Sequence, residues 1–336
     1  MKKISLAVLL LFLSSSIFSQ TSNPQQYKYV FTVAKDGSGD YKYIQDAIDA
    51  MRVYPLAPIT LYIKNGVYNE KIELPANNTD VSFIGESTDK TIISFNDYSG
   101  RGKLNTFTSY TARISGNWFR AENISFVNTA GPVGQALALY VDADKAVFRN
   151  CRFIGYQDTI FASGENSRQY FTDCYIEGTT DFIFGPATAV FQGCTIHCKA
   201  SSFITAANTP KGKRFGLVFL NCTITADSAV HQLFLGRPWR AWAKTAFIES
   251  RLPKQLAAAG WDNWNNPANE QTAFYAEYKN TGEGSSTAGR AAWTRQLSDR
   301  EAKEYTIDTI FSSSAPADTD WYKNIVPKVF EWPVKK

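Results

Sequence analysis

The chain has 336 residues, 35 Lys and Arg against 31 Asp and Glu, and a formal charge of +4, two units of which come from Lys2 and Lys3 near the start. An excess this small accommodates a polyanionic partner without requiring one, and with no basic helix or recognition motif beside it nucleic acid is excluded. Five cysteines are an odd number, so a monomer, the state expected here, keeps at least one free thiol.

Lys2 and Lys3, the apolar run Ile4 to Leu13 and the small residues up to Ser19 form a cleavable secretory leader over 1–19. Its apolar part is too short to span a bilayer. The expected mature protein, 20–336, is therefore a single domain outside the cytoplasm, secreted or periplasmic, with no membrane contact once the leader is removed. Nothing resembling a linker divides it, and no inhibitory pro-region separates leader from domain, so control by such a segment is not expected.

Ile44, Ala47, Ile48 and Met51 fall on one face of a helix suited to plugging the open end of a solenoid. Thr60 to Ile63, Val81 to Ile84 and Thr91 to Phe95 then read as strands. From Phe148 onward a template, Phe-x-x-Cys-x-(Phe/Ile), appears four times: Phe148 with Cys151 and Phe153, Phe171 with Cys174 and Ile176, Phe191 with Cys194 and Ile196, Phe219 with Cys222 and Ile224. The steps between copies are 23, 20 and 28 residues, and Phe119 with Ile124 is a degenerate earlier copy. Each copy alternates as a strand does but is too short to bury its own face, which indicates stacked coils. Leucine-rich repeats share the period but need Leu-rich or helical intervals, whereas these hold Gly, Asp, Thr and aromatic residues. The fold class expected is all-β, a parallel β-helix. At the far end Ser298 and Glu301 form a capping box for a helix running to about Phe311, followed by a tail packed along the outside.

The stacked cysteines admit two arrangements, a ladder of unbonded thiols or a bridge, for which Cys194 and Cys222 are the best-placed pair. Cys194, His197 and Cys198 have the wrong company for a metal site, because the chain has only two histidines and no second Cys/His pair. No metal or other cofactor is expected.

The repeat also puts two carboxylates in register, since Asp158 lies seven residues after Cys151 and Asp181 seven after Cys174. They should emerge side by side on neighbouring coils, about 5 Å apart. Two carboxylates that close do not both ionise easily, an arrangement that suits one ionised nucleophile beside one protonated acid; the alternative is a pair of solvated turn aspartates. Gln157 directly precedes Asp158 and Gln135 lies in the run Gly134-Gln135-Ala136-Leu137-Ala138-Leu139, and amide donors beside a nucleophile can hold the oxyanion of a tetrahedral intermediate.

Gly66-Val67-Tyr68-Asn69-Glu70, the Gln135 and Gln157-Asp158 segments, Asp181-Phe182-Ile183-Phe184-Gly185 and Leu235-Gly236-Arg237-Pro238-Trp239 together give the chain a resemblance to the pectin methylesterase family, in that family's order, from about Tyr29 to Phe311. The resemblance implies a right-handed parallel β-helix and hydrolysis of the C6 methyl esters of pectin to methanol and pectate. It makes Asp181 the nucleophile, Asp158 the general acid and base, Gln157 and Gln135 the oxyanion donors, and Arg237 the partner that keeps Asp181 ionised. By the same match Trp239 and Trp261 line the groove, with Phe184 and Tyr156 nearby and Thr106 as a polar contact. Ile160 stands where Leu is frequent, and the stretch from Ser202 to Phe215, with Lys211, Lys213 and Arg214, differs in loop content and leaves subsite preference open.

Three other readings compete. A glycosidase or lyase on the same scaffold also suits a close carboxylate pair, but the two glutamines, Arg237 and the lack of an acidic cluster for calcium speak against it. A non-catalytic pectin-binding protein would have lost one of Asp158, Asp181 or Arg237. A relative acting on another ester or thioester stays open.

Overall fold

The structure is a computed structural model that describes residues 27–312, 320–323 and 330–333; the leader expected over 1–19 lies outside them. Its main chain winds as a right-handed parallel β-helix whose successive coils contribute one short strand to each of three parallel sheets of eleven, seven and seven strands. One coil runs through Ala146–Arg149, Arg152–Ile154 and Ile160–Ala162, and the next through Arg168–Thr172, Tyr175–Gly178 and Ile183–Gly185. The Phe template is the reason for this register. Phe148, Phe171, Phe191, Phe219 and Phe247 are paired in the large sheet, and their rings stack inside the coil at 4.8, 4.6, 4.7 and 4.3 Å, which is the spacing of adjacent strands. A one-residue slip would turn every ring outward.

The sharp bend after each Phe copy is made by the residue before the Cys, or before Ile124 in the degenerate copy. Asn123, Asn150, Asp173 and Asn221 have φ of 59°, 47°, 55° and 52°, and Gly193 has 62°. Asn, Asp and Gly are the residues that enter the left-handed region at least cost, and Asn150 Nδ2 donates to Asn123 Oδ1 at 2.7 Å, so the bends also bond to one another.

The cysteines are free, which decides between the two arrangements against a Cys194–Cys222 bridge. In-register neighbours in a parallel sheet stand about 4.8 Å apart with parallel Cα–Cβ bonds, too wide for the roughly 3.8 Å between Cβ atoms that a disulfide needs. Each of the four stacked thiols instead faces a carbonyl of the preceding coil: Cys151 that of Ala121, Cys174 that of Phe148, Cys194 that of Phe171 and Cys222 that of Phe191. Burial pushes the Cys151 thiol up to about 12.

The helix Ile44–Asp49 closes the N-terminal end, with Ile44, Ala47 and Ile48 buried. Its start is capped from a distance, because Glu70 Oε2 accepts from the backbone N–H of Ile44 at 2.8 Å and of Gln45 at 3.1 Å. At the other end the capping box of Ser298 and Glu301 forms, but the expected single helix to Phe311 is two short ones, Asp299–Ala302 and Ile307–Ile310. Thr306 caps the second, its hydroxyl accepting from Thr309 N–H. The break lets Ile310 and Phe311 turn onto the outer face of the large sheet, where they join Tyr170, Leu220 and Ile248. Trp321 and Tyr322 extend that layer.

Candidate active site

The outer face of one seven-stranded sheet carries a register column, Glu73, Arg113, Tyr140, Phe161, Phe184, Ala206 and Arg237. Its middle is apolar, Phe161 stacking on Phe184 at 4.7 Å and Phe184 meeting Trp239 edge-on at 5.8 Å. Over this floor lies a cleft of about 220 Å³. Its walls include Gln135, Gln157, Asp158, Asp181, Arg237 and Thr106, so the five expected catalytic residues are brought together with the expected polar contact.

Asp158 and Asp181 each sit two residues before paired positions of adjacent strands, Ile160 and Ile183. Both have positive φ, 66° and 48°, a conformation that costs energy in a non-glycine residue and concentrates at functional sites. Backbone bonds hold them there: Asp158 N–H donates to Thr180 O at 3.1 Å and Asp181 N–H to Phe203 O at 2.8 Å. Gly185 ends the second segment at φ 130°, where a Cβ would come within 2.1 Å of Ala162 O. No other residue fits that position.

The two carboxylates lie in unlike surroundings. Asp181, 6% exposed, accepts Arg237 Nε at 3.0 Å on Oδ1 and Arg237 Nη2 at 2.7 Å on Oδ2. Asp158, 7% exposed, makes no side-chain hydrogen bond with a described residue. Burial, with the Asp181 charge added, raises the Asp158 carboxyl to about 8. Burial raises Asp181 too, but the Arg237 fork and charge oppose the rise. The proton therefore belongs on Asp158 near neutral pH, and the negative charge on Asp181.

Arg237 is itself fixed. Its guanidinium lies 3.9 Å from the Phe203 ring and 3.8 Å from the Trp264 ring, so an aromatic face on each side holds the planar fork in line with the carboxylate. Gln135 and Gln157 form a backbone bridge across neighbouring coils, and neither amide side chain donates to a described residue. Both are free to bond a ligand oxygen in the cleft.

Two expected groove residues are elsewhere. Trp261 is 2% exposed, inside the coil; it bridges to Gly236 and its Nε1 donates to Glu277 Oε1 at 3.2 Å. The groove tryptophan is Trp264, three residues later. A turn in which Trp264 N–H donates to Asp262 Oδ1 at 2.7 Å brings its ring out over Arg237. Tyr156 does not line the cleft either, its ring being covered by Lys199 Nζ at 3.6 Å from the centroid. Phe107, half-exposed and 5.0 Å from Phe161, forms the opposite wall with Thr106 and was not anticipated. In the Ser202–Phe215 stretch, Lys213 reaches Asn166, Arg214 pairs with Glu304 and Lys211 lies over Trp242. Cys198 is buried while its neighbour His197 points outward to Thr225 and Asp227. Among the described residues no group of three or more His, Cys, Asp or Glu side chains is arranged to hold a metal.

A model of the pectinesterase family matches residues 30–314. The chain belongs to that family. Probable pectinesterase/pectinesterase inhibitor 58 of Arabidopsis thaliana is 42% identical over 82% of this chain, which spans 50% of that relative's length. Pectin methylesterase from carrot superposes with a TM-score of 0.80 at 34% identity, covering 83% of this chain and 92% of its own. A pectin methylesterase mutant in complex with a hexasaccharide superposes at 0.76 with 29% identity, covering 87% and 99%. The family and the parallel β-helix expected from the sequence are thus both found.

Proposed function

We propose that the chain hydrolyses the C6 methyl esters of pectin by an aspartate nucleophile. The observation that carries this reading is the unequal pair: Asp181 held as an anion by the Arg237 fork, beside Asp158 with a raised pKa and no hydrogen-bond partner among the described residues. Asp181 attacks the ester carbonyl carbon, and the developing oxyanion accepts from the Gln157 and Gln135 amides. Asp158 gives its proton to the methoxy oxygen as methanol leaves, which produces an acyl-enzyme and an ionised Asp158. That carboxylate then takes a proton from water as the water attacks the acyl carbon, releasing pectate and Asp181. The apolar surface of Phe184 and Ala206 suits the ester methyl, and the hexasaccharide held by a relative supports a cleft that takes a sugar chain. In this reading the mature chain, 20–336, works outside the cytoplasm as one unit and as a monomer.

Replacing Asp181 with Ala is expected to abolish methanol release from methylated pectin, a loss of several orders of magnitude, in a variant that still folds, its circular dichroism spectrum matching that of the unaltered chain. Retention of more than about a tenth of the activity makes another group the nucleophile. New reducing ends or unsaturated products in place of methanol would point to a glycosidase or lyase.

A further inference from the structure

A cavity of about 400 Å³ lies on the outer face of the eleven-stranded sheet and shares no wall residue with the cleft, which sits on a seven-stranded one. Its volume is in the range of ligand pockets. Three bends lead into the sheet here on successive coils, Asp80, Trp118 and Lys145, in register because Ser82, Arg120 and Val147, two residues on from each, are paired. All three have positive φ, 55°, 63° and 60°. Asp enters the left-handed region at low cost, as Asp173 does, but Trp and Lys do not. The strain sets the Trp118 ring, 41% exposed, in the cavity wall, with Lys145 Nζ 3.8 Å from the ring centroid. Strain that delivers particular side chains to a cavity concentrates at functional positions.

The chemistry of the walls selects the ligand. Two buried side-chain atoms of residues bordering the cavity lack a hydrogen-bond partner, Arg120 Nε and Trp321 Nε1, and both are donors. Trp321 is 6% exposed. Two acids share the wall, Asp320, which pairs with Lys323 at 3.2 Å, and Asp80, and neither accepts from Arg120. Buried donors without acceptors are costly, so the cavity suits a group that brings oxygens, and a guanidinium favours those of an anion. The indole face beside them suits the C–H face of a sugar ring.

We propose that this cavity is a second, non-catalytic site for an acidic sugar, a uronate whose carboxylate accepts from Arg120 and Trp321 and whose ring lies against Trp118. The choice of a uronate rests on the pectin reading of the cleft, whereas the site itself does not. A polymer held on two faces of the solenoid gains avidity without any change in the cleft.

The experiment is calorimetric titration into the full chain, Arg120→Met and Trp118→Asn, of three probes: unesterified digalacturonate, galactobiose, which has the same ring without the carboxylate, and inorganic phosphate. The unaltered chain is expected to take up one more digalacturonate than Arg120→Met, with galactobiose and phosphate at least about tenfold weaker at that site. Trp118→Asn removes the ring but suits the bend, so it is expected to weaken the same site roughly tenfold while raising the thermal unfolding midpoint. Equal uptake by Arg120→Met and the unaltered chain overturns the site, and so does phosphate bound as tightly as digalacturonate, which would leave an anion hole without sugar recognition. A Trp118→Asn variant that binds digalacturonate unchanged and unfolds at a lower temperature would make Trp118 a packing residue and overturn its role. If the unaltered chain releases no methanol from methylated pectin yet Arg120→Met still loses a digalacturonate, the esterase reading fails and this site stands.

Discussion

At the residue scale, the proposed function turns on which of two adjacent carboxylates keeps the proton. In the proposed mechanism Asp181 must be ionised to attack, and its pKa lies above an ordinary aspartate because it is buried; activity is therefore expected to fall as pH drops through that raised value. In the same mechanism Asp158 must be protonated to release methanol, so activity is expected to fall again as pH rises through about 8. The limbs belong to the coupled pair rather than to isolated groups. Arg237→Lys keeps a charge but loses both the two-point grip and the fit between Phe203 and Trp264. It is expected to lower kcat at least tenfold, by the loss of a bidentate contact, and to move the acid limb upward. Profiles of kcat and kcat/KM against pH decide this. An unmoved acid limb with KM raised chiefly on sparsely methylated pectin would make Arg237 a polyanion contact instead.

At the scale of the element, the bends do as much as the strands to set the register. The Phe and Cys positions were legible because they repeat, and counting seven residues on from Cys151 and Cys174 led directly to Asp158 and Asp181. The left-handed bend residues were equally present, as Asn150, Asp173, Gly193 and Asn221, but a template built on apolar spacing passes over the polar position that lets the chain turn. Asn221 is exposed, with φ 52°; its backbone N–H donates to Ile248 O at 3.0 Å and its side chain bonds to no described residue. Asn221→Val places a β-branched residue in the left-handed region and is expected to cost about 1–2 kcal/mol, while Asn221→Gly stays within about 0.5 kcal/mol. Chemical denaturation of the two variants compares them. Equal losses would mean that the Asn side chain, not the conformation, matters there. Groove aromatics were harder to read, since Trp261 and Trp264 sit in one short run and spacing alone does not say which faces inward. The bridge from Gly236 to Trp261 settles it by sending Trp261 into the coil.

Across the whole molecule, both ends of the solenoid had to be closed, and only one closure was visible beforehand. The N-terminal plug shows a helical apolar face, whereas the C-terminal one is assembled from separated residues with no periodicity: Tyr275 in ring contact with Trp261 and with Trp293, and the ion pair of Arg290 with Glu277. Glu277, 1% exposed, accepts from Arg290 Nε at 2.8 Å and from Trp261 Nε1, and Arg290 Nη2 also donates to Gly284 O at 2.8 Å. Removing the cation leaves a buried carboxylate unpaired, so Arg290→Met is expected to cost about 3–5 kcal/mol, most of it recovered by adding Glu277→Gln. The consequence reaches the chemistry because Trp261 is fixed by this cap and Trp264, three residues on, holds one face of Arg237. Below its unfolding temperature Arg290→Met should therefore shift the acid limb of the pH profile upward, in the direction of Arg237→Lys but by less. A variant that loses stability while its pH profile stays in place would show that the end cap and the Arg237 fork are mechanically independent.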